Sequence, residues 1–302
     1  MPIEVLCIGH AAYDLSFFVE AFPAENSKCQ TDDLLASCGG PAANAAYLLS
    51  KWDRNCALAG LVGEDEYGRR IRESLQSVGT DVSLLELRPG HATPLSMILV
   101  NTDNGSRTIV NRSISNARFD VGHEAWRTLS PRVLLFDGHA LDASLAAIDA
   151  FPEAISILDA GSWREGTATL AQRVDILASS ERFASQCTNR NHLSNEIEQR
   201  QCVSLMREKF DTTVIVTLGE RGAIIDDGTG FVHQPAFAVD AVDTTAAGDI
   251  FHGALAYCVA DCLPLLQSVR FASMAAALSV QKRGGRCSIP DLSQVQLALR
   301  KA

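Results

Sequence analysis

Short apolar runs alternate with helix-forming stretches along nearly the whole of this chain. IEVLCIG (3–9), CALAGLVG (56–63), RVLLFDG (132–138), AISILDA (154–160) and TVIVTLG (213–219) read as strands, several closing on Gly or Asp. Between them lie PAANAAYLLSKW (41–52), YGRRIRESLQSVG (67–79), LDASLAAIDAF (141–151) and a polar stretch from Asn191 to Lys209. Both faces of the strands read apolar, as required where helices cover a mostly parallel sheet. The alternation predicts a doubly wound α/β fold. Ligands of such folds gather beyond the carboxyl ends of the strands.

Two segments break the rhythm. Residues 15–37 carry LSFFVEAF and KCQTDDLLAS; residues 94–112 carry PLSMILVNTDNGSRTIVNR, two β-prone runs around Asp103-Asn104-Gly105. The second is a hairpin signal. Extra strands of this kind form a flap over a site or a dimer surface, so residues 1–302 are expected to make one domain with a small β lid. The 47% apolar and 21% charged content is that of an ordinary soluble protein. No run is long enough to span a membrane, and the start MPIEVLCIGH lacks the basic region of a signal peptide. The nine cysteines are scattered without a CxxC pair, which suits reduced thiols in a cytoplasmic protein. A formal net charge of −10 argues against a nucleic-acid partner. An acidic chain that binds a polyanion must use local devices: backbone amides, helix termini and a divalent cation.

One stretch supplies such a device. In VDTTAAGDIFHGAL (242–255), small residues precede an aspartate at the start of a helix-like run. The amides of Ala246, Ala247 and Gly248 at a helix mouth would meet charge on a transferred phosphoryl group. Asp249, in the first turn and kept ionised by the helix terminus, would take a proton from an attacking hydroxyl. The plainer reading, an Asp that caps its helix, stays open. Gly253 and Ala254 are expected to let this helix lie close to the sheet. In CGGPAANAAYLL (38–49), Gly39-Gly40 makes a turn before Pro41, a favourable first helical residue. Asn44 follows with an amide able to donate to and accept from sugar hydroxyls; an ordinary Gly-Gly loop is the alternative. In VTLGERGAII (216–225), Gly219 and Gly222 would make room for a purine or ribose, or simply form a β-turn. Asp14 could take two hydroxyl hydrogen bonds or be a solvated turn carboxylate. His10 and His139 lie at strand ends and are candidate substrate contacts. The basic loop Lys282-Arg283-Gly284-Gly285-Arg286 would reach phosphates, shape an ion site, or be a solvated face.

Together these residues resemble the PfkB or ribokinase family of carbohydrate kinases. GGPAANAA looks like the family's N-terminal signature and DTTAAGDIFHGA like its C-terminal one, in the right order. Within the family the chain is most similar to the sulfofructose kinase branch, over HQPAFAVDAVDTTAAGDIFHGALA and SVRFASMAAALSVQKRGGRCSIPD. The resemblance implies a ribokinase-like three-layer α/β/α sandwich with a β-sheet lid, often dimerised through that lid. It implies Asp249 as catalytic base, Ala246, Ala247 and Gly248 as anion hole, and Asp14, Gly39, Gly40 and Asn44 as sugar contacts. Thr217, Gly219 and Gly222 would lie at the nucleotide. Asp243, Thr245, Ser279, Lys282, Gly284 and Ser288 look like the monovalent-cation loop. ATP and Mg²⁺ are the implied cofactors, with K⁺ a candidate.

Three departures qualify that carry-over. Ala246 stands where Gly is commonest. The NxxE motif appears as Ser180-Glu181-Arg182-Phe183, which leaves Mg²⁺ to be held mainly through phosphates and water. His139 stands where the sulfofructose branch has an anion-gripping arginine, although Lys28 and Asn111 match that branch; such a change weakens a bidentate anion grip. The expected function is ATP-dependent phosphorylation of a primary hydroxyl on a ketose or furanose-type sugar. A nucleoside kinase, with Phe17, Phe18 or Phe22 as an aromatic platform, is the alternative within the fold. A catalytically idle sugar or nucleotide sensor is the alternative outside enzymes.

Overall fold

The computed structural model describes residues 2–103, 106–112, 118–119, 122–190 and 193–302. In chain order the first elements are β1 (Val5–Ile8), β2 (Ala12–Val19), β3 (Leu34–Gly39), α1 (Pro41–Lys51), β4 (Cys56–Gly63) and α2 (Glu66–Gln76). Then follow β5 (Leu85–Arg88), β6 (Leu95–Asn101), β7 (Arg107–Arg112), α3 (Gly122–Trp126), β8 (Val133–Phe136) and α4 (Leu141–Ala150). The next are β9 (Ile155–Ala160), α5 (Glu165–Leu170), β10 (Ile176–Ser180), α6 (Glu181–Thr188) and α7 (Glu196–Phe210). The chain closes with β11 (Thr213–Thr217), β12 (Ala223–Asp226), β13 (Phe231–Gln234), α8 (Ala247–Ala260), α9 (Leu265–Ser279) and α10 (Leu292–Leu299).

Among the described residues these strands form a nine-stranded sheet, ordered β13-β12-β11-β10-β9-β8-β1-β4-β5, and a four-stranded sheet, β3-β2-β6-β7. The large sheet is parallel except for β12 and β13, which return as an antiparallel hairpin. Side chains alternate across it as the strand period requires. Val5 and Cys7 face one core with α1, α8 and α9, whereas Leu6 and Ile8 face a second core with α4, α6 and α7. Helices therefore cover both faces, and the fold is the expected three-layer α/β/α sandwich with a small second sheet. Among the described residues no helix is long and apolar enough to cross a membrane.

The small sheet is built from the two segments that break the rhythm. β2 pairs with β3 and β6 with β7 antiparallel, but β2 and β6 run parallel. The turn expected at Asn104-Gly105 lies outside the described residues. Residues 21–33, inside the expected lid segment 15–37, join β2 to β3 without helix or strand structure. β10 carried no strand signal in the sequence reading, because its Ser179 and Ser180 interrupt the apolar run. The sequence pointed Gly253 toward the sheet, but its close neighbour is α1: a Cβ there would meet the Ala45 backbone at 3.1 Å, so its missing side chain seats α8 against α1.

The topology sets the site. β1 lies between β8 and β4, and chain direction across the sheet reverses at the β1–β8 pair. The loops leaving β1 and β8 open there, where open α/β sheets bind ligands.

Candidate active site

α8 begins without a side-chain cap. Its N-cap residue, Ala246, is in the left-handed region at φ 61°, and Asp249 sits in the first turn. The leading amides thus keep the unpaired character of a helix mouth. The Ala247 amide makes only a long 3.3 Å contact to the Thr244 carbonyl. A Cβ on Gly248 would meet open space. A left-handed alanine carries a conformational penalty that glycine avoids. Its methyl packs where Gly285 has none: a Cβ on Gly285 would lie 3.0 Å from that of Ala246.

Asp249 is half-buried. The buried Asn44, on α1, donates from Nδ2 to Asp249 Oδ2 at 2.7 Å. The ionised aspartate expected from the helix terminus is corrected by the surroundings. Burial first, and then the charge of Asp159, push its carboxyl up to about 7, against the Asn44 donor and His252. His252 lies one turn further along α8, with Nδ1 3.1 Å from Asp159 Oδ2. Burial alone would lower that imidazole, but Asp159 outweighs it and raises it. An aspartate titrating near 7 is matched to proton acceptance at neutral pH.

A stability effect follows. A folded-state value above the ordinary 3.8 means that wild-type stability is retained in acid and falls as pH rises from about 4 through 7. Asp249→Asn should therefore melt progressively higher than wild type from pH 4 to pH 8. A melting gap that stays constant with pH would contradict this.

Asp14, on β2, faces Asn44's neighbourhood from the lid. A Cβ on Gly39 would lie 2.0 Å from Asp14 Oδ2, so this glycine exists to admit the carboxylate. Gly40 has φ 95°, and a Cβ there would meet the His10 carbonyl at 2.5 Å. Burial raises the Asp14 carboxyl, opposed by a Ser96 hydrogen bond and the Arg286 charge. Asn111 shares its sheet face, since Asp14 pairs with Ser96 and Ser96 with Asn111. Lys28 is exposed in the connection between β2 and β3, and no contact among the described residues ties it to Asp14.

His139 has protein partners on its ring and its amide. Asp137, buried at the end of β8, accepts from the amides of His10 (2.7 Å), Ala42 (3.2 Å) and His139 (3.0 Å). It also lies 3.2 Å from His139 Nδ1. Arg164 Nη1 meets His139 Nε2 at 2.6 Å. A guanidinium only donates, so Nε2 accepts and the ring proton sits on Nδ1 toward Asp137. Both ring nitrogens are engaged within the protein. Burial would raise the Asp137 carboxyl, but the His139 ring and the His10 amide outweigh it and hold it below the usual range. His10 stacks on His139 at 4.5 Å and is pushed down to about 4 by burial and that neighbour. Its imidazole is neutral at pH 7.

A cavity of about 590 Å³ opens beside the α8 mouth. Thr217, Gly219 and Gly222 line it together with Ala247, Gly248 and Phe251. The strand ends at Thr217, and Gly219 starts a short helical turn at φ 61°. A Cβ on Gly222 would strike the Gln234 carbonyl at 2.1 Å. The volume and small lining residues suit a nucleotide. Sequence reasoning missed the opposite wall, which α9 supplies through Ser273, Ala276 and Ala277, with Val280 just past its end. Nothing in their apolar helix pattern separates a cavity wall from core.

The 243–245 and 279–288 loops are knit together. Asp243 Oδ1 accepts from the Thr245 amide at 2.8 Å and Oδ2 from Gly284 at 2.9 Å. Ser279 and Ser288 are buried and donate to carbonyls, and the Lys282 amide bonds Ser279's carbonyl. The Ser180-Glu181-Arg182-Phe183 stretch is a helix start: Ser180 caps α6, and Glu181 is bound to Arg221. Among the described residues no three His, Cys, Asp or Glu side chains converge as a metal cage.

Residues 2–292 match the pfkB family of carbohydrate kinases. The chain is 26% identical to the ribokinase of Lactococcus lactis over 302 residues, covering 99% of this chain and 97% of the relative. A ribokinase candidate from Agrobacterium tumefaciens superposes with a TM-score of 0.89 at 28% identity, over 100% of this chain and 98% of that one. The Arabidopsis thaliana ribokinase, solved with ribose and ATP, superposes at 0.85 with 24% identity, covering 99% of each chain.

Proposed function

The chain belongs to the pfkB family of carbohydrate kinases, and on that premise we propose that it transfers the γ-phosphate of ATP to a primary hydroxyl of a ketose or furanose-type sugar. Members of this family are phosphotransferases acting on sugar hydroxyls. The observation that carries the site assignment is the meeting of three things: an uncapped helix mouth, a 590 Å³ cavity lined by its first residues, and the Asn44-bonded Asp249 beside them.

In this reading the sugar is held by Asp14 and by the main chain at Gly39 and Gly40. Asp249 accepts the proton of the attacking hydroxyl. The Ala247 and Gly248 amides, with the Ala246 turn, meet the charge on the transferred phosphoryl group as fixed dipoles. The adenosine part lies along Thr217, Gly219 and Gly222. Catalysis is then positioning and electrostatics, as expected for phosphoryl transfer. Mg²⁺, when bound, would neutralise charge between the phosphates; with no acidic cage among the described residues, phosphates and water would supply most of its ligands. The oxygens of Asp243, Ser279 and Ser288 and the carbonyls around Thr245, Lys282 and Gly284 suit K⁺.

The sugar's far end meets the His10–His139–Asp137–Arg164 group. A sulfofructose-like substrate would find its guanidinium there from Arg164 rather than from residue 139. The relatives described above are ribokinases and do not favour that branch. Exposed Leu34, Met97, Ile109 and Val110 on the lid support its use as a dimer surface. The direct test is ADP release over ketoses, aldopentoses, sulfosugars and nucleosides with Mg²⁺ and K⁺ present. At least one sugar is expected to raise ADP release clearly above the sugar-free rate. Release stimulated by nucleosides alone would contradict the substrate class.

A further inference from the structure

The Asn44 amide is held at both ends. Nδ2 donates to Asp249, and Oδ1 accepts from Arg286 Nε at 3.3 Å. Arg286 arrives from the short turn Arg286–Ser288, is only 6% exposed, and donates from Nη1 to Ser74 Oγ of α2 at 3.0 Å. Its guanidinium also lies 5.0 Å from the Tyr47 ring centroid. Nη2 is buried without a hydrogen-bond partner among the described residues. Among the described residues no carboxylate forms an ion pair with it, although the Asp14 charge acts on it, and a buried cation held so is expensive unless it does something no neutral residue can.

What distinguishes it is that a guanidinium has donors and no acceptor. The Asn44 atom facing it must be the carbonyl oxygen, so the amide NH₂ faces Asp249. Turning the amide over would set NH₂ against the guanidinium and oxygen against carboxylate oxygen. Both hydrogen bonds would be lost. A glutamine in place of Arg286 would not impose that choice, because it can accept as well as donate.

We propose that Arg286 is a positioning residue for phosphoryl transfer: it locks the Asn44 amide in the one orientation that donates to Asp249 Oδ2, leaving Oδ1 for the acceptor hydroxyl. The inference rests on Asp249 as the proton acceptor and adds a residue that acts on it through Asn44. It also explains why Asn44 opposes the upward push on Asp249. A protonated Asp249 would need an acceptor, and the Asn44 oxygen is already taken.

The test is a ¹³C NMR titration of the Asp249 carboxyl in the ligand-free protein, its resonance assigned with Asp249→Asn. Arg286→Met keeps the bulk and removes the donor. It should raise the proton affinity of Asp249 by at least about threefold. In an Asn44→Ala background the same substitution should add no shift. An unshifted titration in Arg286→Met, or an equal shift when Asn44 is absent, would overturn the proposal. The second result would mean that Arg286 acts through its charge alone. Should the methionine variant not fold, Arg286→Leu, which also lacks a donor, reads the same quantity. Failure of the base assignment shows elsewhere, as turnover in Asp249→Asn, so the two ideas fail separately.

Discussion

Asp249→Asn is expected to lower kcat by at least about 10²-fold, the lower end of what a positioned general base contributes, while the KM for nucleotide stays nearly unchanged. Asparagine preserves the size of the side chain and can still accept from Asn44 Nδ2. The α8 mouth and the 590 Å³ cavity are built from main chain and small side chains that the change leaves alone. Only the capacity to take a proton is removed. The pH dependence carries a second signature. In the wild type, kcat/KM should rise with pH as Asp249 ionises, with a midpoint near 7 in the ligand-free enzyme. The residual activity of the variant should be flat across that range. A variant with full turnover would return Asp249 to the role of an ordinary first-turn carboxylate.

Gly39→Ala is expected to reduce kcat/KM for the sugar by about 10- to 100-fold, with nucleotide binding retained. The added Cβ would lie 2.0 Å from Asp14 Oδ2 and 2.8 Å from Cγ, so the carboxylate must swing away. The backbone itself is not at issue, because Gly39 is extended strand. What is lost is a charged hydrogen bond to a substrate hydroxyl, about 1.5–3 kcal/mol, which converts to that range of fold-change at 1.4 kcal/mol per factor of ten. Since Gly39→Ala and Asp14→Ala remove the same contact, their combination should cost little more than either alone. Additive losses, or an unchanged kcat/KM in Gly39→Ala, would show that Asp14 does not hold the sugar.

Much of this architecture was legible because it is local. Strand-ending glycines, the Pro41 helix start and the small residues before Asp249 each state their backbone requirement within a few positions. The two lid segments announced themselves by departing from the strand–helix rhythm. What stayed hidden depends on residues far apart in the chain. Asp249 was read as ionised from its helix terminus, yet Asp159 and Asp14, from β9 and the lid, act on it with burial to reverse that direction. That Arg164 and Asp137 engage the two ring nitrogens of His139 could not be read from the sequence, since they come from other elements. Arg286 stood in a basic loop that reads equally well as solvated surface, and only the fold buries it against Asn44. Gly253 was assigned to the wrong neighbour because small residues signal a close approach without saying to what.

A crystal structure of the wild-type enzyme with a non-hydrolysable ATP analogue and a sugar from the ADP-release screen would decide the matter. The acceptor hydroxyl should lie within about 3.2 Å of the Asp249 carboxylate. The terminal phosphate should rest on the Ala247 and Gly248 amides, with adenosine in the cavity between α9 and the Gly219–Gly222 turn. A sugar hydroxyl bound out of reach of Asp249, or phosphates seated away from the α8 mouth, would contradict the assignment.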